Sequence, residues 1–345
     1  MRPFVLFSLV ALAACGSHES TAPANDNPYG ITATGPGVFT VLPLDSSTLV
    51  SGTPLGYLAP PGHVLPTDHV YLNFVDPWSG SPTPPDCSPR PVRAIGSGVI
   101  DFVLQTESTG DLKVEVLMTR TFRYYYDHIL LKPGVRVGTR VQVGDTIGTT
   151  TGRCPSMDLG VVDDDAPVPG RLVPARYGAS LHVASPYRYF IEPLRSWLRA
   201  RVRTIDGRPI DPDGKTDYGV AGRLSGDWFH TSIATSASEL VNGPAGWPKS
   251  VSFTYDWTDG TPRISIGGTL TEAGVLKIAA TDPDPRTVDQ SRGLVIFRGT
   301  PVMGRIGAGW VLAQLLSESR VRLEYVPATQ PTPTAFSAAA QEYVR

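Results

Sequence analysis

Apolar residues along this chain come in short runs broken by Gly, Pro, Asp and Asn, not at the three-to-four spacing of a long helix. Leu112 to Met118 alternates apolar and polar positions, as a strand with one buried face requires. Ala94 to Ile100 leads into a second strand at Asp101–Gln105, the turn Glu107–Asp111 follows, and Arg123 to Leu131 is a third strand, dense in Tyr. Val135 to Gly148 holds two β-branched runs with Gly at each corner, where a tight turn needs a residue that tolerates unusual φ. Pro193 to Arg203 has helical spacing with Pro near its start, so one short helix closes this region. Beyond Thr204 the chain is polar and turn-rich. Strands are then expected at Asp227–Ile233, Ser250–Asp256, Arg263–Thr269, Gly274–Ala280, Gly293–Arg298, Gly309–Leu315 and Arg320–Val326, with Asp259–Gly260 the clearest hairpin turn.

The pattern predicts an all-β protein: a first β domain over 39–203, a linker over 204–218, a second antiparallel barrel or sandwich over 219–327, and a tail over 328–345 that is unstructured at 328–334. The 345 residues exceed one ordinary domain, and 35 Gly with 33 Pro exclude a helical bundle or coiled coil. A hydrophobic content of 41% is enough to build a core, and a net charge of −2 gives no sign of a nucleic-acid partner. No internal repeat of fixed period is visible.

The first residues read as an address. Arg2 precedes an apolar run from Phe4 to Ala14 that is too short to span a bilayer, and Leu12-Ala13-Ala14-Cys15 resembles the lipobox of bacterial lipoproteins. That resemblance implies a signal peptide over 1–14, a lipid on Cys15 and a flexible tether over 15–38. Gly16, standing where an Asp would suggest inner-membrane retention, makes the periplasmic face of the outer membrane the expected location. Export into an oxidising compartment leads us to expect a Cys87–Cys154 disulfide, which the chain-entropy model values at about 4 kcal/mol.

With six His in the chain, their positions are informative. Gly62 to Asp68 (GHVLPTD) resembles the His-x-x-x-Asp motif of the lysostaphin/LytM-type zinc endopeptidases, which cut peptidoglycan cross-bridges. Val92 to Ile100, Tyr126-Asp127-His128-Ile129, Val143 to Gly148 and Thr151-Gly152 resemble that family's later motifs in the same order. The resemblance covers roughly residues 55–200 and implies a LytM-like (duplicated hybrid motif) β-sheet domain with a groove along the sheet. It implies metal ligands at His63 and Asp68, a general base at position 158, a second catalytic His at His128 and a third ligand at position 160.

The pattern departs from the family at the metal. Position 158 is Asp and position 160 is Gly, which offers no side-chain donor, whereas catalytic zinc takes three protein ligands. His63 and Asp68 are also five apart rather than four, so an extended strand would place them on opposite faces. The leading expectation is therefore a non-catalytic cell-envelope lipoprotein, with no cofactor, that binds peptidoglycan or an envelope protein through the old groove. One alternative is an active metallo-endopeptidase in which His69, His128 and Asp158 form a substituted zinc site. Another is a ligand-binding lipoprotein acting through its second domain. Taken singly, each His has the simpler reading of a hydrogen-bonded loop residue. Ser180-Leu181-His182 looks superficially like a displaced His-Leu-His, and no Gly-x-Ser-x-Gly elbow supports a serine hydrolase. Asp163–Asp165 and Asp282/Asp284 are first read as solvated loops, and Trp228, Trp247, Trp257 and Trp310 as core or strand-edge residues.

Overall fold

The computed structural model describes residues 28–74, 87–105, 110–151, 156–204, 208–233 and 246–345. Among them, strands of the first half are β1 (Ser51–Thr53), β2 (His69–Asn73), β3 (Pro91–Arg93), β4 (Gly98–Gln105), β5 (Leu112–Thr119), β6 (Phe122–Leu131), β7 (Arg140–Val141), β8 (Thr146–Thr150), β9 (Ser156–Asp163) and β10 (Val183–Ala184). They form one sheet with the path β1-β2-β9-β6-β5-β4-β7, with β10 beside β9, β8 beside β6, and β3 beside β8. The short helix α1 (Leu194–Arg199) follows, inside the expected stretch.

Side chains alternate across a strand, and three neighbouring strands use this in register. On β6, Tyr124 and Tyr126 join the hydrophobic core, as do Met157, Leu159 and Val161 on β9 and Val70 and Leu72 on β2. The intervening residues face the other side. Pairing sets Tyr125 and His69 opposite Gly160, and Asp127 and Tyr71 opposite Asp158. A polar row is thereby laid across the middle of the sheet.

The two β-branched runs near 135–148 go to different partners: β7 joins β4, while β8 joins β3 and β6, with the Gln142–Asp145 turn between them. Three expectations need correction. The described part of the tether, 28–38, is fastened to the sheet, with Ala33 accepting from the Arg120 amide and Gly35 bonded to Thr119 and Thr121. The linker is pinned as well, since Asp213 takes both Arg188 and Arg199 and Asp217 accepts from the Gly170 amide. The tail contributes a strand.

The second half is a closed antiparallel barrel of β11 (Gly226–His230), β12 (Ser250–Tyr255), β13 (Pro262–Ile266), β14 (Gly274–Ile278), β15 (Val295–Gly304), β16 (Gly309–Ser317), β17 (Arg320–Pro327) and β18 (Gln341–Val344). Seven of these match the expected strands. The eighth, β18, lies in the expected tail and closes the barrel by pairing with both β17 and β11. Trp228, Phe253, Phe297 and Tyr343 fill the interior, so Trp228 is a core residue and not a sugar platform. Closure removes the free sheet edges that would otherwise invite pairing with other chains.

Candidate functional site

The polar row carries a chain of alternating carboxylates and imidazoles. His69 Nδ1 lies 2.9 Å from Asp68 Oδ1, and its Nε2 lies 3.2 Å from Asp158 Oδ2. The same Asp158 oxygen is 3.4 Å from His128 Nε2, and His128 Nδ1 is 2.7 Å from Asp111 Oδ2. Asp158 thus sits between two imidazoles, each backed on its outer nitrogen by its own carboxylate. The Asp158 side chain is only 3% exposed, and that of His69 11%. His69 Nε2 and Asp158 Oδ1 are each buried without a hydrogen-bond partner, so the 3.2 Å approach of His69 Nε2 to Asp158 Oδ2 is close in distance but not aligned as a hydrogen bond.

Electrostatics follow from this arrangement. Burial works against charge on His128, but the hydrogen bond and charge of Asp158, with Asp127 and Asp111, push its pKa up to about 10. His69 is raised in the same sense, chiefly by Asp158 and Asp68 against the effect of burial. Asp158 is lowered, because His69 and His128 outweigh its burial. Asp68 is held well below the usual carboxylate range, the His69 hydrogen bond and charge overcoming burial. His63 goes the other way, down to about 4, through burial and then the charge on His69. It is neutral at physiological pH and packs edge-on against His69, with ring centroids 5.3 Å apart.

His128 has φ +66°, a left-handed conformation uncommon for a residue of its size. Its amide donates to Asp127 Oδ1 at 2.8 Å and its carbonyl accepts from the Thr151 amide at 3.0 Å, which hold the ring at the end of the polar row. Backbone strain of this kind persists where surrounding structure enforces it, often at functional sites.

The resemblance's zinc ligand set does not fit these residues. Gly160 has no donor, and the Tyr125 ring occupies the space above it: a Cβ at 160 would lie 2.0 Å from Tyr125 Cζ. Asp68, expected as a metal ligand, is instead engaged by His69, by Ser180 Oγ at 2.6 Å and by the Tyr125 hydroxyl at 3.2 Å. Both of its oxygens are thereby taken by hydrogen-bond donors, Oδ1 by His69 and Tyr125 and Oδ2 by Ser180. His63, also expected as a ligand, lies beside the row against His69 and Tyr71.

The substituted set fits better. His69, His128 and Asp158 are brought together, and the buried unpartnered atoms belong to two of them. Metal-bound imidazoles commonly give their other nitrogen to a carboxylate, as both do here. The donor atoms of the trio do not all lie within 4.8 Å of one another, so it is not a compact cage. Among the described residues, the three side chains whose donor atoms all lie within 4.8 Å of one another are Asp111, Asp127 and His128. There His128 Nδ1 is already bonded to Asp111, so that cluster supports the centre from outside.

Asp111, Asp127, Tyr125 and Ser180 were not singled out from sequence as site residues. Tyr125 precedes the Tyr-x-His motif and Asp127 is its middle residue, and period-2 alternation places these two together on the face opposite Tyr126. Asp111 read as a turn residue, and Ser180 as part of a look-alike motif. Cys87 is disulfide-bonded, while Cys154 and Cys15 lie outside the described residues. The acidic loops are internally satisfied: Asp163 accepts from Tyr189 and Asp284 from Tyr255 and Arg286.

No family model matches the chain, and no curated protein matches it. Solved structures do show partial likeness. Csd3 of Helicobacter pylori is 19% identical over 38% of this chain and 33% of its own, with a TM-score of 0.28. A zinc-containing peptidase from Vibrio cholerae is 21% identical over 38% of each chain, also at 0.28. Lysostaphin from Staphylococcus simulans is 14% identical over 85% of this chain and 87% of its own, at 0.25. The protein thus spans about a third of the length of Csd3 and two fifths of the Vibrio peptidase. The likeness is partial. Nothing about activity follows from it.

Proposed function

We propose that the first domain is a peptidase-type centre rebuilt around Asp158, which holds a divalent cation such as zinc through His69 Nε2, His128 Nε2 and the Asp158 carboxylate. Its substrate would be a peptide cross-link of the bacterial cell wall. The observation that carries this reading is the pair of imidazoles facing one buried carboxylate, with His69 Nε2 and Asp158 Oδ1 unbonded and both outer nitrogens taken by carboxylates. A tetrahedral ion with bonds of about 2.0–2.2 Å sets its donors roughly 3.3–3.6 Å apart. The two separations to Asp158 are 3.2 and 3.4 Å. Loading has only to draw the imidazoles toward each other.

Bound there, the ion would polarise a carbonyl and activate water. The chain's own residues do the rest. Asp68 and Asp111 hold Nδ1 of each imidazole, leaving both Nε2 atoms directed inward. His63 remains neutral and fixes the His69 ring by its edge-on contact. The leader, with Cys15 as lipid attachment point, would tether the centre at the cell envelope.

A second reading is favoured by Tyr125 lying over Gly160. In it the groove binds wall peptide or an envelope partner without cutting. Zinc-loaded protein incubated with cross-linked wall peptides separates the two. Hydrolysis that disappears in Asp158→Asn and His69→Ala supports the first; retention of wall material without cleavage supports the second.

A further inference from the structure

We infer that the barrel braces the site, and that Ser180 is the positioning residue through which it does so; this rests on the centre proposed above. Asp68 is the outer partner of His69, and its other oxygen accepts from Ser180 Oγ at 2.6 Å. Ser180 lies 112 residues further along, in the 3-10 turn Gly178–His182. That turn is held by the barrel. Tyr177, which precedes it, and Leu181 within it pack with Phe229 and Ile233, and Leu65, from the loop between His63 and Asp68, joins the same cluster.

The attachment has a polar half. Arg171, just upstream, forms an ion pair with Asp227 of β11 at 2.6 Å, with side chains 2% and 6% exposed. Tyr177 donates to the same carboxylate oxygen at 3.1 Å, and Ser252 of β12 donates to the other at 2.7 Å. Arg176 lies over the Phe229 ring, 4.7 Å from its centroid. Breaking one partner of so buried a pair strands the other charge, so the attachment is fixed in place. Strand β11 therefore underlies both loops that set His69: one carries Asp68, the other the hydroxyl that holds Asp68. Fixing Asp68 fixes the His69 ring and keeps Nε2 as the nitrogen aimed at Asp158.

The test uses full-length, metal-free protein and reads the His69 Nδ1 proton by NMR, then titrates zinc alone. Wild type is expected to show a downfield, slowly exchanging resonance. In Ser180→Ala that resonance broadens or disappears, the His128–Asp111 proton is unchanged, and zinc affinity falls about tenfold. Ser180→Thr restores both. Phe229→Leu, chosen as milder than Ala for a core position, produces the same His69 change while its unfolding curve stays cooperative. An unaltered His69 resonance in Ser180→Ala, or in folded Phe229→Leu, overturns the inference. If wild type binds no zinc, the metal reading fails, and the resonance still decides the role of Ser180.

Discussion

Gly160 and Tyr125 share one place. With a would-be Cβ 2.0 Å from the Tyr125 ring, position 160 is Gly because the phenol, which also reaches Asp68, needs the room. Gly160→Ala should therefore destabilise by about 1–3 kcal/mol, the usual range for overpacking, as read by urea unfolding. An unchanged midpoint would show that the ring is free to move. At the same scale, Asp111→Asn weakens the support of His128 and should lower zinc affinity about 10–100-fold, measured by calorimetric titration. His69, His128 and Asp158 were legible in the sequence because each lies in or beside a motif whose residue types mark metal chemistry. Asp111 and Ser180 were not, since their roles depend on chain reversals that bring distant segments to a shared carboxylate–imidazole row.

Among the elements, the strand at β6 was expected from sequence and those at β2 and β9 were not; alternation along all three puts Tyr125, Asp127, Asp158 and His69 on one face. The bulge in β4 was not expected either. Register slips between Ile100 and Phe102 against β5, and Asp101 falls at the irregularity with Oδ1 buried and unpartnered. Burial, then the charge of Glu115, pushes its pKa up to about 7. Between about pH 4 and 7 the folded chain keeps a proton that the unfolded chain releases, so stability falls as pH rises through that window and levels off above it. Asp101→Asn removes this loss. Its gain in urea midpoint over wild type should be present at pH 8 and absent at pH 4; an equal difference at both would refute the assignment. Strand β18 escaped sequence reading because Gln341-Glu342-Tyr343-Val344 has only two apolar residues and follows a Pro-containing stretch. Its existence depends on two neighbours already in place.

As a whole molecule, the protein is a sheet bearing a polar centre and a closed barrel joined to it through β11. Because β18 also pairs with β11, barrel closure and site support meet at one strand. Tyr343→Ala, at a fully buried position, should cost about 3–5 kcal/mol in thermal or urea unfolding. Its effect should reach the His69 environment as well as the barrel. The all-β class and seven barrel strands were visible from turn spacing, whereas closure and docking are long-range facts that no local pattern carries. Metal content of the purified full-length chain tests the central claim most directly. The account predicts one divalent cation per chain, bound more tightly as pH rises from 8 toward 10 because the ion must displace the proton held on His128, and lost in both Asp158→Asn and His128→Ala. A chain that takes up no cation at any pH, or whose uptake survives Asp158→Asn, would contradict it.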